Sequence, residues 1–204
     1  MKFTVEKNSL QSAIVTASRA SAAKSAVPAL EGLLVVATGS EVKISGYDLK
    51  TGITTTVPAD VVIEGSIVLS ARLFGEIIRR LPDDVVSFSA DENLMTKIEC
   101  GMSEFNILGT SPADYPDLPT VDYQKSISLS ENNLKNMIAQ TNFAVSDNES
   151  RPIFTGALFE AENGVLTIVA IDGFRLALRR EPLSSSDPSP LSFVVPVTAL
   201  SEVE

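Results

Sequence analysis

The chain repeats itself. Sliding it along its own length by 124 residues lays VPALEGLLVVATGSEVKISGYDLKTGITTTVP, residues 27–58, over RPIFTGALFEAENGVLTIVAIDGFRLALRREP, residues 151–182, without a gap. Pro28 falls on Pro152, Gly32 on Gly156, Asp48 on Asp172 and Pro58 on Pro182; upstream, Asn8, Leu10 and Ile14 fall on Asn132, Leu134 and Ile138. A shift of 126 then lays SIVLSARLFGEI (66–77) over SFVVPVTALSEV (192–203). The two extra residues enter in the Ser/Pro-rich stretch 183–190, as expected of a surface loop. One folding unit used twice is the simplest reading. Residues 109–120 carry three prolines among small polar residues and read as a linker of limited flexibility. The expected domains are therefore 1–122 and 123–204. Glu204 corresponds to Ile78, inside a helical pattern, so the second copy is expected to be incomplete and the chain to be a fragment.

Within a copy, the pattern predicts a short strand (2–5, and 126–129) and then a helix. Leu10, Ala13, Ile14 and Ala17 recur at helical spacing, as do Leu134, Met137, Ile138 and Thr141 behind the capping residues Ser130–Asn133. Extended runs follow at 33–37, 41–45 and 53–57, and at 157–161, 166–170 and 176–180. A strand at 67–69, or 193–195, leads to a second helix with Leu73, Phe74, Ile77 and Ile78. The first copy continues with strands at 85–88, 95–100 and 103–108. Many short strands with two helices per copy indicate an α+β fold: tandem domains of antiparallel sheet with both helices on one face. Leu73, Ile77 and Leu81 are expected to face the core, so that Arg72, Glu76, Arg79 and Arg80 point away from it.

The function classes narrow on composition. The 204 residues contain no histidine and one cysteine, Cys100, which removes His-based catalysis, most zinc sites and any intrachain disulfide. Cys100 reads as a packing residue. A net charge of −10 argues against a generic nucleic-acid binder. Charge is unevenly spread, however: residues 8–24 hold Arg19 and Lys24 and no acid, and 71–80 hold three arginines against Glu76. An acidic protein with one selected basic surface fits this, a repeated unit presenting cationic helices on one side. No signal-peptide pattern opens the sequence and no run is apolar enough to span a membrane, so a cytoplasmic protein without membrane contact is expected.

The opening MKFTVEKNSL, the segment from Lys24 through VPALEGLLV, the stretch LGTSPADYPDLP and the motif VAIDGFRLA (169–177) together resemble the beta subunit family of bacterial DNA polymerase III, the sliding clamps. The resemblance covers the whole chain. It implies three similar domains in a complete subunit and a head-to-tail homodimer ring around duplex DNA, which is contacted through phosphates without base reading. It implies no catalysis, cofactor or metal. Carried over by position, Lys24 and Asn148 resemble loop residues that touch DNA, and Arg72, Arg79 and Arg80 belong to the inner helices. The family also has a hydrophobic cleft for short linear peptides from the replicative polymerase, the clamp loader and repair proteins. Its share here is Phe154, Ile171, Gly173, Phe174, Arg175 and Leu176. The family more often has Thr and His where Ile171 and Phe174 stand, so this version is more apolar. A fragment of such a subunit is expected to be monomeric, because the family joins first domain to third.

Asp172 repeats Asp48, which favours a turn-holding role for the carboxylate, whereas Phe174 and Arg175 have Lys50 and Thr51 as counterparts and point to specialised binding. Two other readings remain open on the residues alone. One is an enzyme using Asp48 and Asp172 as paired carboxylates; the other is a protein-interaction module that never meets DNA.

Overall fold

The computed structural model describes residues 1–120, 126–183 and 190–204. It divides into two compact units, Met1–Pro119 and Thr120–Glu204. The boundary expected between residues 122 and 123 lies outside the described residues, as do positions 184–189 of the Ser/Pro-rich loop.

The first unit runs β1 (Lys2–Glu6), α1 (Lys7–Ser18), β2 (Gly32–Thr38), β3 (Glu41–Tyr47), β4 (Gly52–Pro58), β5 (Asp60–Ile63), β6 (Gly65–Ser70), α2 (Ala71–Arg80), β7 (Val85–Ala90), β8 (Met95–Cys100) and β9 (Ser103–Leu108). Its strands form two antiparallel sheets, β5-β1-β7-β8-β9 and β4-β3-β2-β6. Helices α1 and α2 pack on each other and join both sheets in one core. There Phe3 stacks on Phe88 at 4.6 Å, and Phe74 meets Phe88 edge-on at 6.1 Å. Cys100 is buried, its Sγ 3.6 Å from the Pro82 carbonyl, and burial pushes its thiol pKa up, as suits a packing residue.

The second unit runs α3 (Glu131–Ala139), β10 (Gly156–Glu162), β11 (Val165–Ile171), β12 (Leu176–Pro182), β13 (Leu191–Pro196) and α4 (Val197–Val203). Its sheet order, β12-β11-β10-β13, repeats β4-β3-β2-β6. The register repeats as well. Leu34 faces Ser45 and Leu158 faces Val169; Tyr47 faces Gly52 and Ile171 faces Leu176; Gly32 faces Ser70 and Gly156 faces Pro196. Shifts of 124 and 126 thus hold at the level of paired backbones. They also explain a shared glycine. A Cβ on Gly32 would lie 2.6 Å from Val68 Cγ1 and 2.9 Å from the Leu69 carbonyl, and one on Gly156 would strike Val195 and Val194 in the same way.

Four expectations need correction. Residues 126–129 form no strand. In the first unit β1 is held between β5 and β7; among the described residues no strand pairs with 126–129, so the segment forms no ladder and lays Ile127 and Leu129 against the core of the second unit. Strand β5 was not expected, because four residues on a sheet edge carry no usable alternation. Leu73 does not face the core: it is 47% exposed, while Phe74, Ile77, Ile78 and Leu81 are buried. At about 100° per residue it falls beside Arg80 on the outer arc. Finally, residues 109–119 are no free linker. Thr110 bridges to Val68, the Tyr115 hydroxyl donates to the Ser45 carbonyl at 3.3 Å, and Leu118 packs near Gly52 and Tyr47, so the segment lies across the first unit.

Candidate functional site

Helix α2 starts where the Ser70 hydroxyl accepts the Leu73 amide at 3.4 Å, and it ends on Arg79 and Arg80, whose charges suit the negative end of the helix. With one side of the helix committed to Phe74, Ile77 and Ile78, Arg72, Glu76, Arg79 and Arg80 are left on an exposed arc of roughly 100°. Arg72 reaches Glu76 at 3.4 Å, an exposed i,i+4 pair worth only a few tenths of a kcal/mol. Among the described residues no carboxylate stands within salt-bridge distance of Arg79 or Arg80. A groove of about 290 Å³ between α1 and α2 is walled by Gln11, Val15 and Ser18 on one side and by Arg72 and Arg79 on the other. Gln11 Oε1 is buried there with no hydrogen-bond partner.

Lys24 is exposed in the loop between α1 and the 3-10 turn Pro28–Glu31. Residues 21–23 of that loop and Arg72 line one depression of about 570 Å³, which brings the loop beside the start of α2. Asn148 is the counterpart of Lys24 under the 124-residue shift. It is exposed in the loop before the turn Pro152–Phe154, its side chain accepting the Ser150 amide at 3.0 Å. The expected cationic face is not repeated. Arg19 and Lys24 lie beyond the end of α1, α3 carries Glu131 and Lys135, and α4 carries Glu202 and no basic residue. Positive charge on helix surface is concentrated on α2.

The other group sits on the β11–β12 hairpin. Asp172 Oδ1 accepts the amides of Phe174 and Arg175 at 2.9 and 3.0 Å, while Oδ2 accepts from Arg175 Nε at 2.6 Å. Those bonds, the Phe174 amide first, hold the Asp172 carboxyl below its ordinary pKa. Asp48 does the same work on the first unit, accepting the Lys50 and Thr51 amides at 2.8 and 2.6 Å. Both carboxylates are engaged in turns. The left-handed turn position is Gly173 in one copy, φ +91°, and Leu49 in the other, φ +73°. With the turn so fixed, Phe174 is thrown fully into solvent at 100% exposure, Leu176 is exposed, Ile171 is half-buried and Arg175 is held in place by Asp172. Phe154 ends the 3-10 turn before β10 and is half-buried; its counterpart Leu30 shares one apolar cluster with Tyr47, the counterpart of Ile171. Sequence reasoning stopped at Leu176, although exposed apolar side chains continue along the same sheet face at Leu178 and Val194. Comparing the two copies position by position is the signal that finds them.

Comparisons with known proteins agree with this layout. Residues 1–119 match the family model of the DNA polymerase III beta subunit, N-terminal domain, and residues 128–204 match that of its central domain. The beta sliding clamp of Halalkalibacterium halodurans is 35% identical over 214 residues and that of Bacillus subtilis 36% over 211, each alignment covering 100% of this chain and 56% of the relative. The chain thus spans about half the length of the curated relatives it matches. The crystal structure of the Bacillus subtilis sliding clamp superposes with a TM-score of 0.96 at 34% identity, over 100% of this chain and 56% of that one. The beta subunit from the Streptococcus pyogenes DNA polymerase gives 0.93 at 30%, over 99% and 55%.

Proposed function

The chain belongs to the DNA polymerase III beta subunit family, and on that premise we propose that it supplies the first and second domains of a sliding clamp, residues 1–122 and 123–204. Its work is to hold duplex DNA without reading sequence and to tether the replicative polymerase for processive synthesis in the cytoplasm. It carries out no chemical step.

The observation that supports this best is the α2 arc. Three guanidiniums project from one helix of an otherwise acidic chain, and only Arg72 has a carboxylate in reach among the described residues. Arg72, Arg79 and Arg80 would bind backbone phosphates, with Lys24 and Asn148 reaching DNA from equivalent loops. Long, solvated side chains that meet phosphates without fixed base contacts bind firmly yet permit sliding. The net charge of −10 disfavours DNA contact over the acidic remainder of the chain.

Phe154, Ile171, Gly173, Phe174, Arg175 and Leu176 would form the second unit's share of a cleft for short linear peptides from the polymerase, the clamp loader and repair proteins. Phe174, Leu176 and Ile171 offer apolar contact area, and Arg175, already oriented by Asp172, offers donors to a peptide carboxylate or carbonyl. The ring would be a homodimer. The open edge strand β9, with Phe105 and Leu108 exposed, supports a subunit contact by the first unit.

Binding to several 30-base-pair duplexes of unrelated sequence tests the DNA reading. Equal affinities that fall together as salt rises are expected; a strong preference for one sequence, or binding indifferent to salt, would overturn it.

A further inference from the structure

Where α1 and α2 pack on each other, one row of turn-spaced positions from each helix walls the groove of about 290 Å³: 11, 14, 15 and 18 on α1, and 72, 75, 76 and 79 on α2. The middle of the α2 row is Gly75. A Cβ there would meet only Ile14 Cγ2 outside its own helix, at 3.5 Å, an ordinary contact, and the Gly75 backbone is not left-handed. Neither backbone nor packing therefore calls for glycine, which is destabilising in a helix interior relative to alanine. What the missing side chain does is keep the groove open. Buried Ile14 and Ile78 close its base, and Val15, 53% exposed, gives it an apolar wall. At the rim, Glu76 is taken up by Arg72 at 3.4 Å. Arg79 is left as the cation of the groove with no carboxylate within salt-bridge distance among the described residues.

We infer that this groove is a binding site for a small apolar-bodied monoanion of the aryl carboxylate class, its ring system between α1 and α2 and its carboxylate on Arg79. Size and charge select the occupant. A dry apolar cavity of about 150 Å³ holds benzene, so the groove has room for one or two rings, whereas a duplex can only lie across it. A bare inorganic anion would leave Val15 and the Gly75 gap uncovered, and a neutral ring would leave Arg79 unanswered. Arg79 also belongs to the arc proposed to meet DNA, so an occupied groove competes with a backbone phosphate. That consequence rests on the DNA reading; the site itself rests on the groove alone.

The test uses the 204-residue chain with labelled Ile, Leu and Val methyls, titrated with 2-naphthoate. Saturable shifts are expected at Ile14, Val15 and Ile78. Binding should be at least tenfold weaker for uncharged 2-naphthamide and for Arg79→Ala. It should be abolished by Gly75→Leu, which fills the groove, and by Val15→Glu, which sets a carboxylate on its wall. Substitutions on two helices keep the result readable if one chain fails to fold. Shifts that are absent, scattered over both units or equal for the amide would overturn the site. Saturating 2-naphthoate should weaken duplex DNA binding several-fold in the unaltered chain and leave Gly75→Leu unaffected. Unchanged DNA binding at saturation would overturn the competition. If the unaltered chain binds no DNA at all, the DNA reading fails while the methyl shifts still decide the groove.

Discussion

A carboxylate that receives two backbone amides fixes a turn, and Asp172 and Asp48 do so at equivalent places. Asp172→Ala should speed amide exchange at Phe174 and Arg175 and leave the Asp48 turn untouched. The pH dependence has a defined sign. The folded carboxyl is lowered, so its contribution is present above the ordinary value near 3.9 and is lost as pH falls through the lowered one. Tyr115 behaves oppositely. Burial pushes its hydroxyl up to about 12, against a smaller opposing pull from the Tyr47 backbone. Its neutral form therefore holds the 109–119 segment on the sheet below about pH 10, and that contribution is lost as pH rises through about 12. Absorbance titration of the tyrosinates, compared with Tyr115→Phe, reads this directly. Thr96 is buried with an unpartnered Oγ1, so Thr96→Val should leave stability unchanged or raise it by about 1 kcal/mol in urea unfolding.

Helices show where one sequence pattern gives two outcomes. Helix α1 runs to Ser18, equivalent to residue 142, but α3 stops at Ala139. The cause lies on the neighbouring strand: a Cβ on Gly46 would strike the Ala17 carbonyl, and the second unit has Ala170 at that position. There the chain leaves the helix, with Thr141 Oγ1 donating to the Met137 carbonyl at 2.8 Å, and enters the 3-10 turn Asn142–Ala144. Gly46→Ala should therefore fray the end of α1 and cost about 1–3 kcal/mol, measured by thermal unfolding with exchange at residues 15–18. Phe74→Ala should cost about 3–5 kcal/mol, whereas Leu73→Ala should cost under about 1. Helical spacing made Leu10, Ala13, Ile14 and Ala17 legible as a core face, and the period-2 runs made most strands legible. Leu73 passes for a core residue in sequence because an apolar residue one step outside the buried arc looks the same there. Residues 109–119 read as linker because prolines and small polar residues dominate; nothing local announces that Tyr115 and Leu118 have a sheet face to cover.

At the scale of the chain, duplication was the most legible property, since it rests on order and spacing and needs no partner to be visible. Charge was legible only in part. Counting by segment exposes the α2 arginines, yet a symmetrical cationic face is expected and, among the described residues, helices α3 and α4 do not repeat it. On the proposed reading, phosphate contact falls mainly on the first unit and peptide contact on the second. The most direct test compares the salt dependence of duplex DNA affinity for the unaltered chain and for Arg72→Ala/Arg79→Ala/Arg80→Ala. The slope of log affinity against log salt should shrink by about 0.9 for each phosphate contact removed, hence by about 2.7 in the triple variant, with folding retained. An unchanged slope would contradict the assignment of α2 to DNA.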